Sequence, residues 1–291
     1  MMNKICIPCL VGGTLFFTGC ATTSMQVSPE VLQQREILKT ELKTKSVALL
    51  SDSCLLRSEL GTSHVAAQQS RQTAEKLSAE VKDQFNQYGV DVIVNAHPFL
   101  CGYMPEQQLK KYDIKYDVDG KRQEIKYPVL NDSELANNQQ QNLAILHLYQ
   151  AVNLQNAQQL ENARYPKKAK PIGELNLTDD EQNTLKTFAQ SPYLVLVSSA
   201  GVDVSFGKNF LITGLSAGIA VATLGAGSPM AVFYMPAEGQ TYTLNIVDLD
   251  KKKIVHGWSE HLPNKVFAKN NHDIGVIHPL WGLFETAPIK K

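Results

Sequence analysis

The residues best suited to metal chemistry lie near the C-terminus, where the stretch HGWSEH contains His256, Glu260 and His261. Imidazole and carboxylate groups are common zinc ligands, so this composition suggests a metal-assisted enzyme. However, the spacing matches neither H-E-x-x-H nor H-x-x-E-H. On a strand, His256 and His261 point to opposite faces because their separation is odd. We therefore expect no metal site and interpret these residues, with His272 and His278, as surface and rim histidines.

Other catalytic and ligand-binding signatures also fail on spacing. The stretch GLSAGIAVATLGAG lacks the Lys-Ser/Thr pair of a phosphate-binding loop, and SSAG is not the G-x-S-x-G of a nucleophile elbow. Asp113, Asp117 and Asp119 precede Gly120, but they do not follow the order of acids in an EF-hand loop. His147, on a predicted helix, has no second histidine at ligand spacing and is interpreted as interfacial. The sequence thus predicts no catalytic residue.

The overall charge argues against a nucleic-acid partner. Lys plus Arg and Asp plus Glu are equal at 28 each, so no global field attracts a polyanion. The apolar content of 43% is ordinary for a folded protein. We expect one domain over residues 46–291, with an insertion at 100–190.

The N-terminal sequence MMNKICIPCLVGGTLFFTGC has the outline of a secretion signal. A single basic residue, Lys4, precedes an apolar run that is short for a membrane span, and small residues precede Cys20. The segment FFTGC resembles the lipobox of bacterial lipoproteins, although Phe17 stands where Leu is usual. The resemblance implies that residues 1–19 are removed and that Cys20 carries diacylglycerol and an N-acyl chain. An uncleaved anchor or a signal peptide cut elsewhere are the alternatives.

The same resemblance implies a location. In this class Asp after the lipidated cysteine favours the inner membrane; Ala21 here favours the outer membrane, with the protein facing the periplasm. Three acyl chains exceed what stable anchoring requires, and no cofactor besides this covalent lipid is expected. Residues 20–45 then form a tether and a short helix that begins at Pro29.

Two apolar runs and a helical pattern predict a βαβ unit at the start of the folded part. SVALL predicts a strand at 46–50 that ends at the polar SDSC, and VDVIVN predicts a strand at 90–95. Between them, helical spacing over 63–88 predicts a helix that stops at Gly89. The two strands of such a unit are parallel.

Cys54 and Cys101 follow these two strands in the sequence. Because parallel strands end at the same edge of a sheet, the two cysteines are expected to lie near each other. An oxidising periplasm favours a disulfide between them, whereas two buried free thiols are the alternative.

The insertion contains a strong hairpin pattern and a long helix. Asp119-Gly120 predicts a two-residue turn that pairs the two halves of 112–127 and places three opposite-charge pairs on one face. The region 132–163 predicts a helix, and TDDE at 178–181 predicts the capping box of a second. The apolar side of the long helix is expected to carry Leu143, Leu146, Tyr149 and Leu154.

The final third of the chain is predicted to be rich in strands. Strands are expected at 193–198 and 202–206, and an antiparallel pair at about 241–248 and 252–260. The C-terminal segment IGVIHPLWGLFETA is apolar enough to dock on the body. The predicted fold class is therefore α/β (α+β): a mixed sheet with a parallel βαβ unit, a C-terminal antiparallel pair and an inserted hairpin plus long helix.

An uncharged run at 209–237 lies between these strand regions. It does not alternate as a membrane β-hairpin does, and its glycines weaken a membrane helix. We interpret it as an apolar crossover or helical hairpin between two edges of one sheet, which is either buried or in contact with a partner or membrane. The residues expected to make such contacts are Leu215, Ile219, Val221, Leu224, Met230 and Phe233.

The lipobox, the SVALL strand and the later hairpin IVDLDKKKIVHGW together resemble a group of periplasmic lipoproteins. Their domain is similar to the N-terminal domain of the translocation protein TolB and to the curli secretion-channel lipoprotein. The sequence departs from that group at the turn, where Lys251–Lys253 replaces the usual glycine. The resemblance implies a non-enzymatic binding or assembly factor that contacts an envelope protein or copies of itself. An export or pore component and a metal-dependent enzyme are the alternatives.

Overall fold

A mixed sheet of six strands forms the centre of the molecule, and the predicted α/β fold class is confirmed. The computed structural model describes residues 29–59, 62–104, 109, 115–118, 121–124, 129–130, 138–204, 239–262 and 277–285. In chain order the strands are β1 (Val47–Glu59), β2 (Thr62–Val65), β3 (Val92–Ala96), β4 (Phe99–Leu100), β5 (Lys115–Val118), β6 (Lys121–Glu124), β7 (Val129–Leu130), β8 (Tyr193–Val204), β9 (Gly239–Asp248) and β10 (Lys253–Leu262). The helices are α1 (Pro29–Lys45), α2 (Ala67–Gln87), α3 (Gln139–Arg164), α4 (Asp179–Ala189) and α5 (Trp281–Phe284).

The sheet is built outward from β1. Its strand order is β10-β9-β8-β1-β2, and β3 pairs with the first part of β1. Both β3 and β8 are parallel to β1, whereas β8–β9 and β9–β10 are antiparallel. The predicted βαβ unit and the C-terminal antiparallel pair are therefore confirmed.

The first strand is much longer than predicted. It does not end at SDSC but runs to Glu59, and it pairs with β8 from Ala48 to Ser58. Asp52 and its two serine neighbours are buried, so tertiary pairing overrides their local preference for a turn. The predicted helix start at Ser63 is also wrong, because Thr62–Val65 pairs with the end of β1 and α2 begins only at Ala67.

Two hydrophobic layers cover the two faces of the sheet. Alternation along β8 sends Leu194 and Leu196 toward one face and Val195 and Val197 toward the other. Helices α3 and α4 cover the first face, and α1, α2 and the C-terminal segment cover the second. The predicted docking of the C-terminal segment is confirmed by three buried residues, Ile277, Leu280 and Leu283.

The long helix α3 is present, but its buried side differs from the prediction. Leu146 and Tyr149 are buried as expected, whereas Leu143 is 45% and Leu154 is 68% exposed. The buried side continues instead through Ile145, Leu148, Val152 and Asn156. Apolar residues extend around a wide arc of this helix, so helical spacing alone could not predict which side of the helix is buried.

The capping box of α4 is confirmed. The Glu181 backbone N–H donates to Thr178 Oγ1 at 3.2 Å, and the Thr178 N–H donates to Glu181 Oε2 at 2.8 Å. His147 contacts the Glu181 carboxylate, which places it at the contact of α3 with α4. The interfacial interpretation of this histidine agrees with that position.

The register of the inserted hairpin is also confirmed. Lys115 pairs with Glu124, Asp117 with Arg122 and Val118 with Lys121. The remaining predicted pairs of 112–127, together with the turn dipeptide, lie outside the described residues.

The predicted strands at 193–198 and 202–206 form one continuous strand, β8. At the β9–β10 turn, Lys252 adopts a positive φ of 48°, the conformation for which glycine is usual. Its ammonium group binds Asp179 Oδ1 at 2.8 Å and the Leu177 carbonyl at 3.0 Å. The lysine turn is thereby fastened to the start of α4.

The uncharged run 209–237 lies outside the described residues, and so do its six proposed contact residues. The strands that flank it are informative, because β8 and β9 are antiparallel neighbours whose last pair is Val202 with Gly239. The end of β8 and the start of β9 therefore lie at the same end of the sheet on neighbouring strands, and the prediction that the run connects two edges of the sheet is wrong. Among the described residues, no helix is long and apolar enough to cross a membrane.

Cys54 and Cys101 are linked by a disulfide. Cys54 lies inside β1 and not beyond it as predicted, while Cys101 follows β4 with a positive φ of 58°. Their Cα atoms are 4.6 Å apart and both residues are fully buried. The bond thus joins the central strand to the loop that follows β4.

Loss of this disulfide should destabilise the fold. A bond across a sequence separation of 47 residues should contribute about 4 kcal/mol in the chain-entropy description. The double variant Cys54→Ala/Cys101→Ala should lower the free energy of unfolding in urea by about this amount. The matched control is wild type unfolded with reductant, which should resemble the variant. Equal stability with and without reductant would contradict the assignment.

Candidate functional site

A groove of about 400 Å³ lies between α1, the edge strand β10 and the C-terminal segment. Strand β10 ends the sheet, and no strand of the described residues pairs with its outer side. The groove wall contributed by α1 includes Arg35, Ile37 and Leu38. The opposite side contains residues 253–257 of β10, and Leu283 completes the lining from α5.

Helix α1 is held in place by apolar and polar contacts. Leu38 and Leu42 are buried against the sheet, while Ile37 on the groove side is 52% exposed. The Tyr193 hydroxyl donates to Glu41 Oε2, and this hydrogen bond lowers the pKa of the Glu41 carboxyl. The C-terminal end of the helix leads directly into β1, so the chain connection also fixes the position of α1 relative to the sheet.

The groove contains more cationic than anionic groups. Half-buried Arg35 and exposed Lys253 form no ion pair within the described part of the chain. Lys251, by contrast, binds Asp248 Oδ2 at 2.7 Å. A half-buried guanidinium without a carboxylate is poorly compensated and is well suited to an anionic group from another molecule.

His256 adds an unsatisfied acceptor to the same groove. It follows a bulge in β10 after Ile254, and its imidazole donates a hydrogen bond to the Pro279 carbonyl. Burial lowers the pKa of His256 to about 4, with the Pro279 carbonyl opposing and Arg35 reinforcing the shift. The ring is therefore neutral at pH 7. Its Nε2 atom has neither solvent contact nor a hydrogen-bond partner in the described ranges, so this acceptor is buried and unpaired there.

The other residues of this histidine-rich region do not lie beside His256. His256 pairs with Ile246, and His261 pairs with Thr241, whose hydroxyl lies 3.3 Å from His261 Nδ1 on the opposite face. His278 is exposed, and His272 lies outside the described residues. Within the described ranges, no three His, Cys, Asp or Glu residues are placed to hold a metal ion.

A second polar cluster lies on the α3 side of the sheet, beneath the disulfide-bonded loop. Asp52 is fully buried, and its Oδ2 accepts the Tyr103 N–H at 3.2 Å. Burial raises the pKa of Asp52 to about 7, although backbone N–H groups from Tyr103, Gly102, Ser53 and Cys101 oppose this shift. The carboxyl group fastens the loop to β1.

The packing of this loop leaves no room for a side chain at Gly102. A Cβ atom there would lie 2.9 Å from the Cβ of Phe99 and 2.9 Å from the ring of Tyr149. Tyr149 also stacks on Tyr103, with ring centroids 4.4 Å apart. The cluster is consequently closed by tightly packed aromatic rings, and we interpret it as structural.

One serine–histidine pair is present but is not placed for catalysis. Ser51 Oγ contacts His97 Nδ1, which is the type of contact that activates a nucleophile. Ser51 is completely buried in the central strand, so a substrate has no access to its hydroxyl. The pair instead connects β1 to the end of β3.

The chain matches no protein-family model, no curated protein and no solved structure. Its function must therefore be argued from the site itself. From the sequence alone, His256 was considered only in a possible metal site, which was rejected on spacing, and Arg35 was missed. A weak signal for Arg35 was present in the sequence. Ile37 and Leu38 are adjacent on the same helix and cannot both face the core, so an apolar side chain near Arg35 had to point away from the core.

Asp52 should make the stability of the protein depend on pH. Its folded-state pKa of about 7 exceeds the ordinary value of 3.8, so the folded protein binds the proton more tightly than the unfolded chain. The free energy of unfolding should fall as the pH rises between these two values, by on the order of 4 kcal/mol at most. Asp52→Asn should remove this fall and be more stable than wild type above pH 7.

Urea unfolding across this pH range measures the effect. The matched control is Asp91→Asn, a change at an exposed position beside β3 that should leave the wild-type pH dependence in place. Parallel stability curves for wild type and Asp52→Asn would contradict the prediction.

Proposed function

We propose that the protein is a lipid-anchored envelope lipoprotein that binds a partner protein in the groove between α1 and β10. The observation that carries this proposal is the half-buried Arg35 guanidinium in the groove lining, which forms no ion pair within the described residues. A half-buried guanidinium binds carboxylates and other anions through several N–H donors. A ligand that supplies an anion would give Arg35 the ion pair that it lacks within the described residues.

The position of α1 supports a role close to the membrane. In the proposed lipoprotein, residues 20–28 would connect the acylated Cys20 to Pro29, the first residue of α1. An extended chain of that length reaches about 30 Å. The helix that lines the groove would then be the first element after the anchor. The disulfide between Cys54 and Cys101 supports a folded part that matures in an oxidising compartment.

The groove chemistry favours binding over catalysis. Among the described residues, its lining contains no cysteine, serine, threonine or aspartate that could serve as a nucleophile. Glu41 accepts from the Tyr193 hydroxyl, and one ring nitrogen of His256 donates to the Pro279 carbonyl. These contacts hold both side chains in fixed positions, as recognition of a ligand requires.

An export or pore-associated role is the second candidate. The observation in its favour is that the chain leaves β8 and returns to β9 at one end of the sheet, so the uncharged residues 209–237 are attached there by both ends. Such an attachment suits contact with a membrane or with neighbouring copies. A ring-shaped oligomer of the detergent-solubilised protein would favour this role, and a monomer would argue against it.

The groove proposal predicts that Arg35→Glu will abolish partner capture. Purification from chemically crosslinked envelopes should recover a partner with the wild-type chain and lose it with Arg35→Glu, because the charge of the groove is reversed. Lys76→Glu, on the exposed side of α2, is the matched control and should retain the partner. Urea unfolding should show that both variants are folded.

The same cells test the anchor. Labelled palmitate should be incorporated into the wild-type chain and into Cys9→Ser but not into Cys20→Ser. Label that remains on Cys20→Ser would contradict the lipidation site, and equal capture by Arg35→Glu and Lys76→Glu would contradict the groove.

A further inference from the structure

We propose that the occupant of this groove is an extended, acidic segment of the partner protein that pairs with β10 as an additional strand. In this arrangement a carboxylate of the segment binds Arg35, and the backbone of the segment pairs with the outer side of β10. The inference rests on the proposed binding function and specifies the chemistry of the partner.

The outer side of β10 supplies the backbone half of the interaction. This strand runs from Lys253 to Leu262 and ends the sheet, and no described strand pairs with its outer side. An extended peptide can add to such an edge through main-chain hydrogen bonds. After the bulge at Ile254, the strand keeps a regular register with β9 from His256 onward, so it offers an even edge there.

The charges of the groove select the sign of the occupant. The cations in the lining are Arg35, Lys251 and Lys253, and the acid is Glu41. Lys251 is paired with Asp248, whereas Glu41, which accepts from Tyr193, keeps its negative charge. Two cations without an ion pair within the described residues, Arg35 and Lys253, thus outnumber one acid, and the net positive charge of the lining attracts carboxylates and repels lysine-rich segments.

His256 belongs to the groove lining, but its Nε2 atom has no solvent contact, so a backbone N–H of an added strand does not reach it. The apolar floor beside it, formed by Leu38, Ile254 and Leu283, accommodates the aliphatic side chains that alternate with the acids.

A selection from a phage-displayed random peptide library tests this inference directly. The target is the full chain in detergent, either as wild type or as Arg35→Glu, with Lys76→Glu as the matched control. Wild type and Lys76→Glu should enrich peptides in which Asp or Glu alternates with aliphatic residues. Arg35→Glu should lose this enrichment, and wild-type peptides should bind it at least about tenfold more weakly.

Other outcomes would overturn the inference. Peptides without acid enrichment, or identical peptides from wild type and Arg35→Glu, exclude an acidic occupant. A concentration-dependent dimer that is lost in Arg35→Glu would show that a second copy of this chain, and not an acidic segment of a partner, binds the outer side of β10. If Arg35→Glu still abolishes envelope capture in these cases, the groove function stands and only the chemistry of the occupant is wrong.

Discussion

The burial of β1 between two parallel neighbours is the constraint on which the rest of the structure depends. Strand β8 pairs along most of its length, and β3 pairs with its first residues. Hydrophobic layers then cover both faces. Because β1 is central, the polar residues Ser51 to Ser53 are buried, and Asp52 accepts a hydrogen bond from the loop that Cys101 anchors. The disulfide and the buried carboxyl group thus both hold the loop after β4 against β1.

The groove follows from how this sheet ends. Pairing proceeds from β1 through β8 and β9 to β10, where no further described strand is present. Helix α1 lies beside this edge because the chain enters β1 directly from it, and its buried leucines hold it to the sheet. The helix leaves Arg35 facing the strand without a carboxylate partner in the described ranges. The first helix and the last strand therefore form a site that neither has alone.

Local signals in the sequence predicted the elements that local chemistry controls. The hairpin register followed from the Asp-Gly turn, and the capping box followed from TDDE, since both depend on neighbouring residues. The length of β1 could not be predicted this way, because its polar residues are tolerated only when β8 is in place. The site depends on which strand ends the sheet and on which cation lacks a partner, and both are properties of the tertiary fold.

Photocrosslinking in intact envelopes tests the central claim, that this groove binds a partner, most directly. A photoreactive residue at Ile37, which is 52% exposed in the groove, should form a discrete crosslink with one partner protein, at an acidic segment. The same residue at Leu154, which is 68% exposed on α3 across the sheet, should not. A partner that crosslinks equally from both positions, or only from Leu154, would contradict the account.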